Sequence, residues 1–355
     1  MNRGPLHQFL TGATAGDAIT DQALLMQRWL QEAGYESDIY AWHLHESMTA
    51  AVRPMSAYRR ARGETRGLYH HSIGSDVPEF LAGRDLRLVL IYHNVTPPEF
   101  FENSDPLRAY LARQGIEQLA VLHSLTELAL AVSHYNEEDL LRAGFTRTAV
   151  LPICLQAERY EGAANESLQE RLTGAGPRLL FVGRLAPNKR QEDLVKLLYF
   201  VRRIHPQARL YLVGDRWEMG YDRWVEQLAA DLNVTEGVKL AGKVSHEDML
   251  AYFRAANMYV SMSEHEGFGV PLIESMLLGL PVVAYGSTAV PETMDGTGIV
   301  FYRKDFESLA ELVAMLYEDM SLQRRVIEGQ RAHVQRFLEP QVRREFFAHL
   351  ERIGA

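Results

Sequence analysis

Short apolar runs alternate with amphipathic stretches along the whole chain, the rhythm that yields parallel sheets covered by helices. In the first half the strand candidates are Leu6 to Leu10, Asp38 to Ala41, Leu86 to Tyr92, Leu128 to Val132 and Thr148 to Leu151. Between the first two, residues 18–33 place Ile19, Ala23, Met26 and Leu30 on one helical face, and Gly34 follows as a stop. This is the pattern of one βαβ unit. Further helices are expected over about 106–123 and 137–143, the second ending at Gly144.

The alternation restarts with cleaner signals in the second half. Strands are expected at 178–183, 209–214, 258–261 and 281–284, and helices at 192–204, 217–232, 246–255 and 271–278. After the run Gly298-Ile299-Val300-Phe301, three more helices follow over about 306–320, 322–337 and 340–352. Gly162, Gly174, Gly176 and Pro177 punctuate residues 155–177 and place a boundary there. The expected organisation is a first domain of 1–155 joined by a returning C-terminal helix at about 338–355, and a second domain of 156–337. No solenoid-period repeat or low-complexity tract is visible.

Composition narrows the function classes. A length of 355 residues suits two domains, and 47% hydrophobic with 23% charged residues is ordinary globular usage. The net charge of -9 argues against a nucleic-acid partner, which needs a basic surface. No apolar run approaches the roughly 20 residues of a spanning helix, and the first residues lack a signal-peptide core. A cytoplasmic location is expected, with peripheral contact at the inner membrane face as its variant. The single cysteine, Cys154, excludes an intramolecular disulfide and reads as a buried packing residue between Ile153 and Leu155. Charge is uneven: the first 155 residues hold no lysine, while Arg53, Arg59, Arg60, Arg62 and Arg66 fall in one stretch.

Two segments carry candidate chemistry. Gly183-Arg184-Leu185-Ala186-Pro187-Asn188-Lys189 follows a buried strand and precedes a helix. Backbone N–H groups and two cations therefore converge at the strand's carboxyl end, where open α/β sheets bind ligands. An arginine fork and a lysine point charge suit a diphosphate whose charge grows as it leaves; the bland alternative is a solvated loop with surface cations. The second segment, Ser263 to Pro271, contains Glu266-Gly267-Phe268-Gly269-Val270 and leads into a helix with Pro271 suited to its first position. Its glycines allow backbone amides close to a ligand. Glu266 and Glu274 supply carboxylates, strong acceptors for vicinal hydroxyls. Helix-dipole preference alone accounts for Glu274 but not for Glu266 among its glycines.

Together these pieces resemble the retaining glycosyltransferases of family 4. The resemblance rests on Phe181-Val182-Gly183-Arg184 with Lys189, Leu210 to Gly214, Leu240 to Ser245, and Glu266 to Glu274 followed by Ser275 to Val283, with Ala131 to Tyr135 and Leu151-Pro152 upstream. It implies the GT-B fold, an α/β architecture of two Rossmann-like domains whose parallel sheets face across an interdomain cleft. It also implies a nucleoside-diphosphate sugar, UDP- or GDP-linked, as co-substrate, a glycan, lipid-linked or small-molecule hydroxyl acceptor, and no metal or other cofactor. By that resemblance Arg184 and Lys189 hold the diphosphate, Glu266 contacts hydroxyls of the transferred sugar, and Glu274 accepts from the ribose. Gly183, Gly267, Phe268, Gly269 and Val270 give backbone contacts, and the base lies near Gly214, Lys243 and Val244. The loop Gly12 to Asp17 stands where the family has a glycine-containing phosphate loop, with Gly16 and Asp17 as its donor contacts, although it lacks the adjacent Gly-Gly pair.

His93, in Tyr92-His93-Asn94-Val95-Thr96-Pro97-Pro98, ends an apolar strand and matches the family histidine that faces the donor sugar. The stretch from Arg53 through His70-His71 falls where acceptor-binding segments vary, so Arg59, Arg60 and His71 are expected on the acceptor side, against the alternative of a solvated loop. Adjacent histidines point in different directions and have no partner at ligand spacing, so no metal site is expected. Two rivals share the architecture: a sugar-nucleotide epimerase, and a non-catalytic sugar-nucleotide-binding subunit.

Overall fold

The computed structural model describes residues 3–216 and 220–354. The chain divides into two units, Met1–Cys154 with Glu339–Ala355, and Leu155–Leu338. The strands of the first are β1 (Gly4–Pro5), β2 (His7–Ala13), β3 (Tyr35–Glu36), β4 (Ile39–Leu44), β5 (Arg53–Pro54), β6 (Arg66–His71), β7 (Arg87–Tyr92), β8 (Thr126–Ala131) and β9 (Thr148–Val150). Seven form one sheet in the order β5-β4-β2-β6-β7-β8-β9, while β1 and β3 pair separately. Every pairing is parallel. Parallel strands covered on both faces are buried on both, which is why β7 and β8 read as continuous apolar runs.

The helix Ala18–Glu32 starts where Asp17 caps it, its Oδ2 accepting from the Thr20 backbone N–H and hydroxyl, both at 2.9 Å. Its buried face, Leu25, Met26, Trp29 and Leu30, packs with Leu6, Leu68, Val89 and Cys154. The C-terminal helix Glu339–Glu351 joins that cluster through Val342, Phe346 and Leu350, and Trp29 Nε1 donates to Glu339 at 2.7 Å. The expected helix over 106–123 is two, Pro106–Glu117 and Leu119–Leu125. At the break, the Gln118 amide nitrogen donates to the Ser75 carbonyl at 2.6 Å and to the Glu79 carboxylate.

One expectation is overturned here. Residues 66–71, read as part of a variable acceptor segment, form β6, an interior strand between β2 and β7. His71 is wholly buried, with Nε2 donating to the Gly115 carbonyl at 2.8 Å and Nδ1 accepting from Tyr69 Oη at 3.1 Å. Burial lowers its pKa to about 4, against the opposing pull of that carbonyl. Neither nitrogen is left for an acceptor substrate. The arginines are tied down as well: Arg59 donates to the carbonyls of Ser56 and Tyr58, Arg60 to the Glu64 carbonyl and Asp85, and Arg66 to Glu127. The strand escaped the sequence pattern because Arg-Gly-Leu-Tyr-His-His carries one aliphatic residue; only its neighbours make it interior.

The second unit contains β10 (Arg178–Val182), β11 (Arg209–Val213), β12 (Val238–Gly242), β13 (Met258–Ser261), β14 (Val282–Tyr285) and β15 (Ile299–Phe301). Their order is β12-β11-β10-β13-β14-β15, all parallel. This is the doubly wound dinucleotide-fold order, which reverses direction between β10 and β13. Helices Gln191–Ile204, Tyr221–Asp231, His246–Ala255, Val270–Leu277 and Phe306–Glu318 connect or cover the strands. The start of the expected helix over 217–232 falls on residues 217–219, outside the described residues. β12 gave no periodic signal, since its residues are only half-buried at a sheet edge.

Candidate functional site

In open α/β sheets, ligands bind outside the carboxyl ends of the strands, where the order reverses. In the second unit this point lies between β10 and β13, and the loops leaving those two strands are the Gly183 to Arg190 and Met262 to Gly269 segments. They are laced together: the Glu264 N–H donates to the Asn188 carbonyl at 2.8 Å, and the Asn188 amide donates to the His265 carbonyl at 3.3 Å. Lys189 and Glu266, one from each loop, form an ion pair at 2.6 Å with side chains 22% and 15% exposed. The backbone of Glu266 is fixed by Thr288, whose hydroxyl oxygen lies 2.8 Å from both its N–H and its carbonyl. Arg184 is exposed, and its guanidinium has no partner among the described residues.

Behind this pair stands an ion network. Arg190, in left-handed backbone conformation at φ 52°, reaches Glu264 at 2.6 Å and Glu192 at 3.2 Å. Lys304 bridges Asp193 at 2.8 Å and Glu264 at 2.9 Å, its ammonium 4.7 Å from the centre of the Tyr285 ring. Burial opposes ionisation of both carboxyls, but the surrounding cations outweigh it and hold Asp193 and Glu264 below the usual carboxylate range. Below about pH 4 the unfolded chain would take up protons that these folded carboxylates resist, so their stabilisation is full above that range and fades as pH falls. Lys304→Met is expected to cost about 1–2 kcal/mol at neutral pH, since the network is only partly buried. The cost should shrink in acid. Urea unfolding at both pH values checks this; an equal cost at each would assign Lys304 a packing role instead.

Three strand ends meet beside the pair. The Gly183 N–H donates to the Val213 carbonyl at 2.8 Å, Gly214 to Gly242 at 3.0 Å, and Leu185 to Asp215 at 2.9 Å. Lys243 and Val244 follow Gly242, and Ser245 caps the helix His246–Ala255. Gly269, at φ 92°, ends the second loop, and the helix Val270–Leu277 starts with Pro271 in second place, not the expected first. Glu274 is buried on this helix and accepts from the hydroxyl of Tyr160. Phe268 is buried as well, its carbonyl accepting from Thr293 Oγ1 at 2.6 Å. Burial lowers the His265 pKa to about 4, so this neighbour is neutral near pH 7.

In the first unit, β2 continues through Gly12 to Ala13, so the expected glycine loop shortens to 14–17, with Gly16 at φ 78° and Asp17 engaged as a helix cap. His93 follows β7; its Nε2 lies 3.0 Å from His70 Nδ1, and its Nδ1 is buried without a partner among the described residues. Arg190, Lys304, Thr288 and Tyr160 were not anticipated. Arg190 is adjacent to Lys189 in sequence, whereas Tyr160 lies in the punctuated boundary and carried no signal. Among the described residues no group of three or more His, Cys, Asp or Glu is placed to hold a metal, and no helix is long and apolar enough to cross a membrane.

Residues 165–333 match the family profile described as glycosyl transferases group 1. These residues are a group 1 glycosyltransferase domain. The group 1 match runs through the second unit from the cap of helix Glu166–Leu172 to the helix Met320–Val334, and includes both laced loops. A Corynebacterium glutamicum GDP-mannose-dependent monoacylated alpha-(1-6)-phosphatidylinositol monomannoside mannosyltransferase is 29% identical over 198 residues, 52% of this chain and 51% of that protein. The chain spans about half the length of the curated relatives it matches. Among solved structures, Anabaena HepE in complex with UDP and glucose superposes with a TM-score of 0.76 at 17% identity, over 97% of this chain and 99% of that one. Sucrose-phosphate synthase from Thermosynechococcus elongatus gives 0.75 at 19% identity, over 99% of each. At such identities the likeness shows the fold, which is GT-B.

Proposed function

We propose that this chain is a nucleotide-sugar glycosyltransferase that moves a hexosyl unit from a UDP- or GDP-sugar to an acceptor hydroxyl with retention at the anomeric carbon. The observation that carries this reading is the placement of Lys189, Arg184 and Glu266 on the two loops flanking the strand-order reversal of a group 1 glycosyltransferase domain. A diphosphate there meets an exposed guanidinium and an ammonium already held in position, so little reorganisation is needed as negative charge builds on the leaving group. Glu266, held at its backbone by Thr288, accepts from sugar hydroxyls, and Glu274, anchored by Tyr160, from the ribose.

In the proposed front-face path the bond between the anomeric carbon and the diphosphate oxygen breaks with its electron pair staying on phosphate. The acceptor oxygen forms its bond to the same face, and its proton passes to the departing diphosphate. No metal is required, because Arg184 and Lys189 supply the positive charge. The Corynebacterium relative's GDP-mannose and the UDP bound by HepE support a nucleoside diphosphate in general terms. The phosphatidylinositol monomannoside in the relative's name supports a glycan or lipid-linked acceptor.

A thermal-shift series with UDP, GDP and ADP tests the donor. The matching nucleotide should raise the melting midpoint by a few degrees, because it binds only the folded state. Incubating the matching sugar donor with and without acceptor tests the reaction. Transfer needs the acceptor; a changed sugar in its absence would replace the transferase reading with an epimerase, and binding without turnover would leave a non-catalytic subunit.

A further inference from the structure

The amino ends of the first sheet hold a cleft that the transfer reaction leaves unused. β6 starts at Arg66 and β7 at Arg87, the two residues paired in register. Arg147 stands just before β9, its carbonyl accepting from the Ala129 N–H of β8 at 2.9 Å. These three arginines line an open cleft of about 490 Å³. That volume lies within the roughly 300–1,000 Å³ of small-molecule sites. The carboxyl ends of the strands, where sheets of this class meet their substrates, are at the other end of the same sheet.

Charge in the cleft does not cancel. Glu127 is the only carboxylate among the described residues that line it, and Arg66 takes both its oxygens, at 2.9 and 3.3 Å. Arg87 is exposed and meets only the neutral Ser124 carbonyl among the described residues, at 3.2 Å. Arg147 is exposed too, and its guanidinium has no partner among the described residues. The hydroxyls of Thr65 and Thr146 line the same cleft, equally without partners among those residues. Two guanidinium charges are therefore left to solvent in a chain whose net charge is -9. Phe145, buried against the His123 ring with 5.4 Å between centroids, is the one large apolar side chain of the lining. None of the exposed large apolar side chains described lines the cleft, so nothing there would insert into a lipid surface.

We propose that this cleft is a second binding site, for a soluble phosphomonoester whose phosphate is held by Arg87 and Arg147 and whose polar body meets Thr65 and Thr146. The charge decides the class of ligand. A carboxylate brings one charge and leaves one guanidinium unanswered, whereas a phosphomonoester brings about -1.5 to -2 and three acceptor oxygens, enough for both forks. The site lies wholly within the first unit and does not depend on the donor reading, which concerns the second.

Isothermal titration of the full chain carrying Arg184→Ala and Lys189→Ala tests this, because those substitutions remove the cations of the second unit that would also bind phosphate. The probes are glucose 6-phosphate, 3-phosphoglycerate and inorganic phosphate, with glucose as the control. At least one organic phosphate should bind once per chain and more tightly than inorganic phosphate, and glucose should not bind. Arg87→Ala and Arg147→Ala should each weaken that binding about tenfold or more. The unliganded melting midpoint should stay unchanged in both, since each side chain is exposed. Arg147→Lys should recover only part of the loss, because an ammonium keeps the charge without the fork. Binding that survives both arginine substitutions, or no binding of any of the three phosphates up to about 10 mM, overturns the proposal. So does phosphate binding seen only with Arg184 and Lys189 intact, which belongs to the second unit. Arg147-dependent sedimentation with phosphatidic acid vesicles, in the absence of soluble phosphate binding, would give the cleft to a lipid headgroup and overturn it as well.

Discussion

Lys189→Ala should lower kcat by about a hundredfold while leaving the fold intact, the largest catalytic loss expected from a single substitution in this chain. The structure sharpens why. Lys189 meets Glu266 at 2.6 Å in a half-buried position, so the ammonium is held before any ligand arrives. Its removal takes away stabilisation of the departing diphosphate and also strands the Glu266 carboxylate without its counter-charge. The two effects separate in a double-mutant cycle. Glu266→Gln should relieve part of the loss in binding but none of the loss in kcat if Lys189 acts on the transition state. Arg184→Ala, at an exposed side chain without a partner among the described residues, should lose at least about tenfold in kcat with no change in stability. Undiminished turnover in both Lys189→Ala and Arg184→Ala would remove these residues from the reaction and with them the mechanism proposed above.

Gly214→Ala should be the most destabilising small substitution. Gly214 sits at φ 148°, in the region that disfavours side chains, and an added methyl would lie 2.1 Å from the Gly183 carbonyl oxygen and 2.5 Å from its carbon. Both obstacles are backbone of the neighbouring strand end, which cannot rotate away. A cost of about 3 kcal/mol or more is expected, with loss of nucleotide binding because the Gly183 to Lys189 loop must shift. Gly296→Ala provides the control: its φ of 73° is also positive but nothing lies within 4 Å, so only the backbone penalty of about 1 kcal/mol applies. Calorimetry on both variants decides the matter, and equal shifts would show that backbone conformation alone, not the close approach of β10 and β11, fixes glycine here.

Much of the strand and helix plan is legible in the chain. Met258–Ser261 and His246–Ala255 fall where their patterns put them, because a largely apolar run and a capped amphipathic turn are local signals. The Gly183 to Lys189 and Glu266 to Gly269 loops were visible for a similar reason: glycines and charges after an apolar strand stand out in one dimension. β6 was hidden because its residues are polar or aromatic and become interior only through β2 and β7 on either side. With it went the reading of His71 as an acceptor-side residue, since a buried histidine and a solvent-facing one are the same letter in a sequence.

The sequence by itself therefore determined the α/β class, most element positions, and the residue types available at the strand ends. Apolar periodicity, caps and glycines act over a few residues, and one dimension contains them. Tertiary structure decided who meets whom: that Lys189 pairs with Glu266, that Tyr160 anchors Glu274 across 114 positions, and that Gln8 meets His70 across 62. Strand order creates these encounters, and a parallel sheet sets its order through crossovers that no local pattern records. The partners of Glu266 and Glu274, Lys189 and Tyr160, came from the fold.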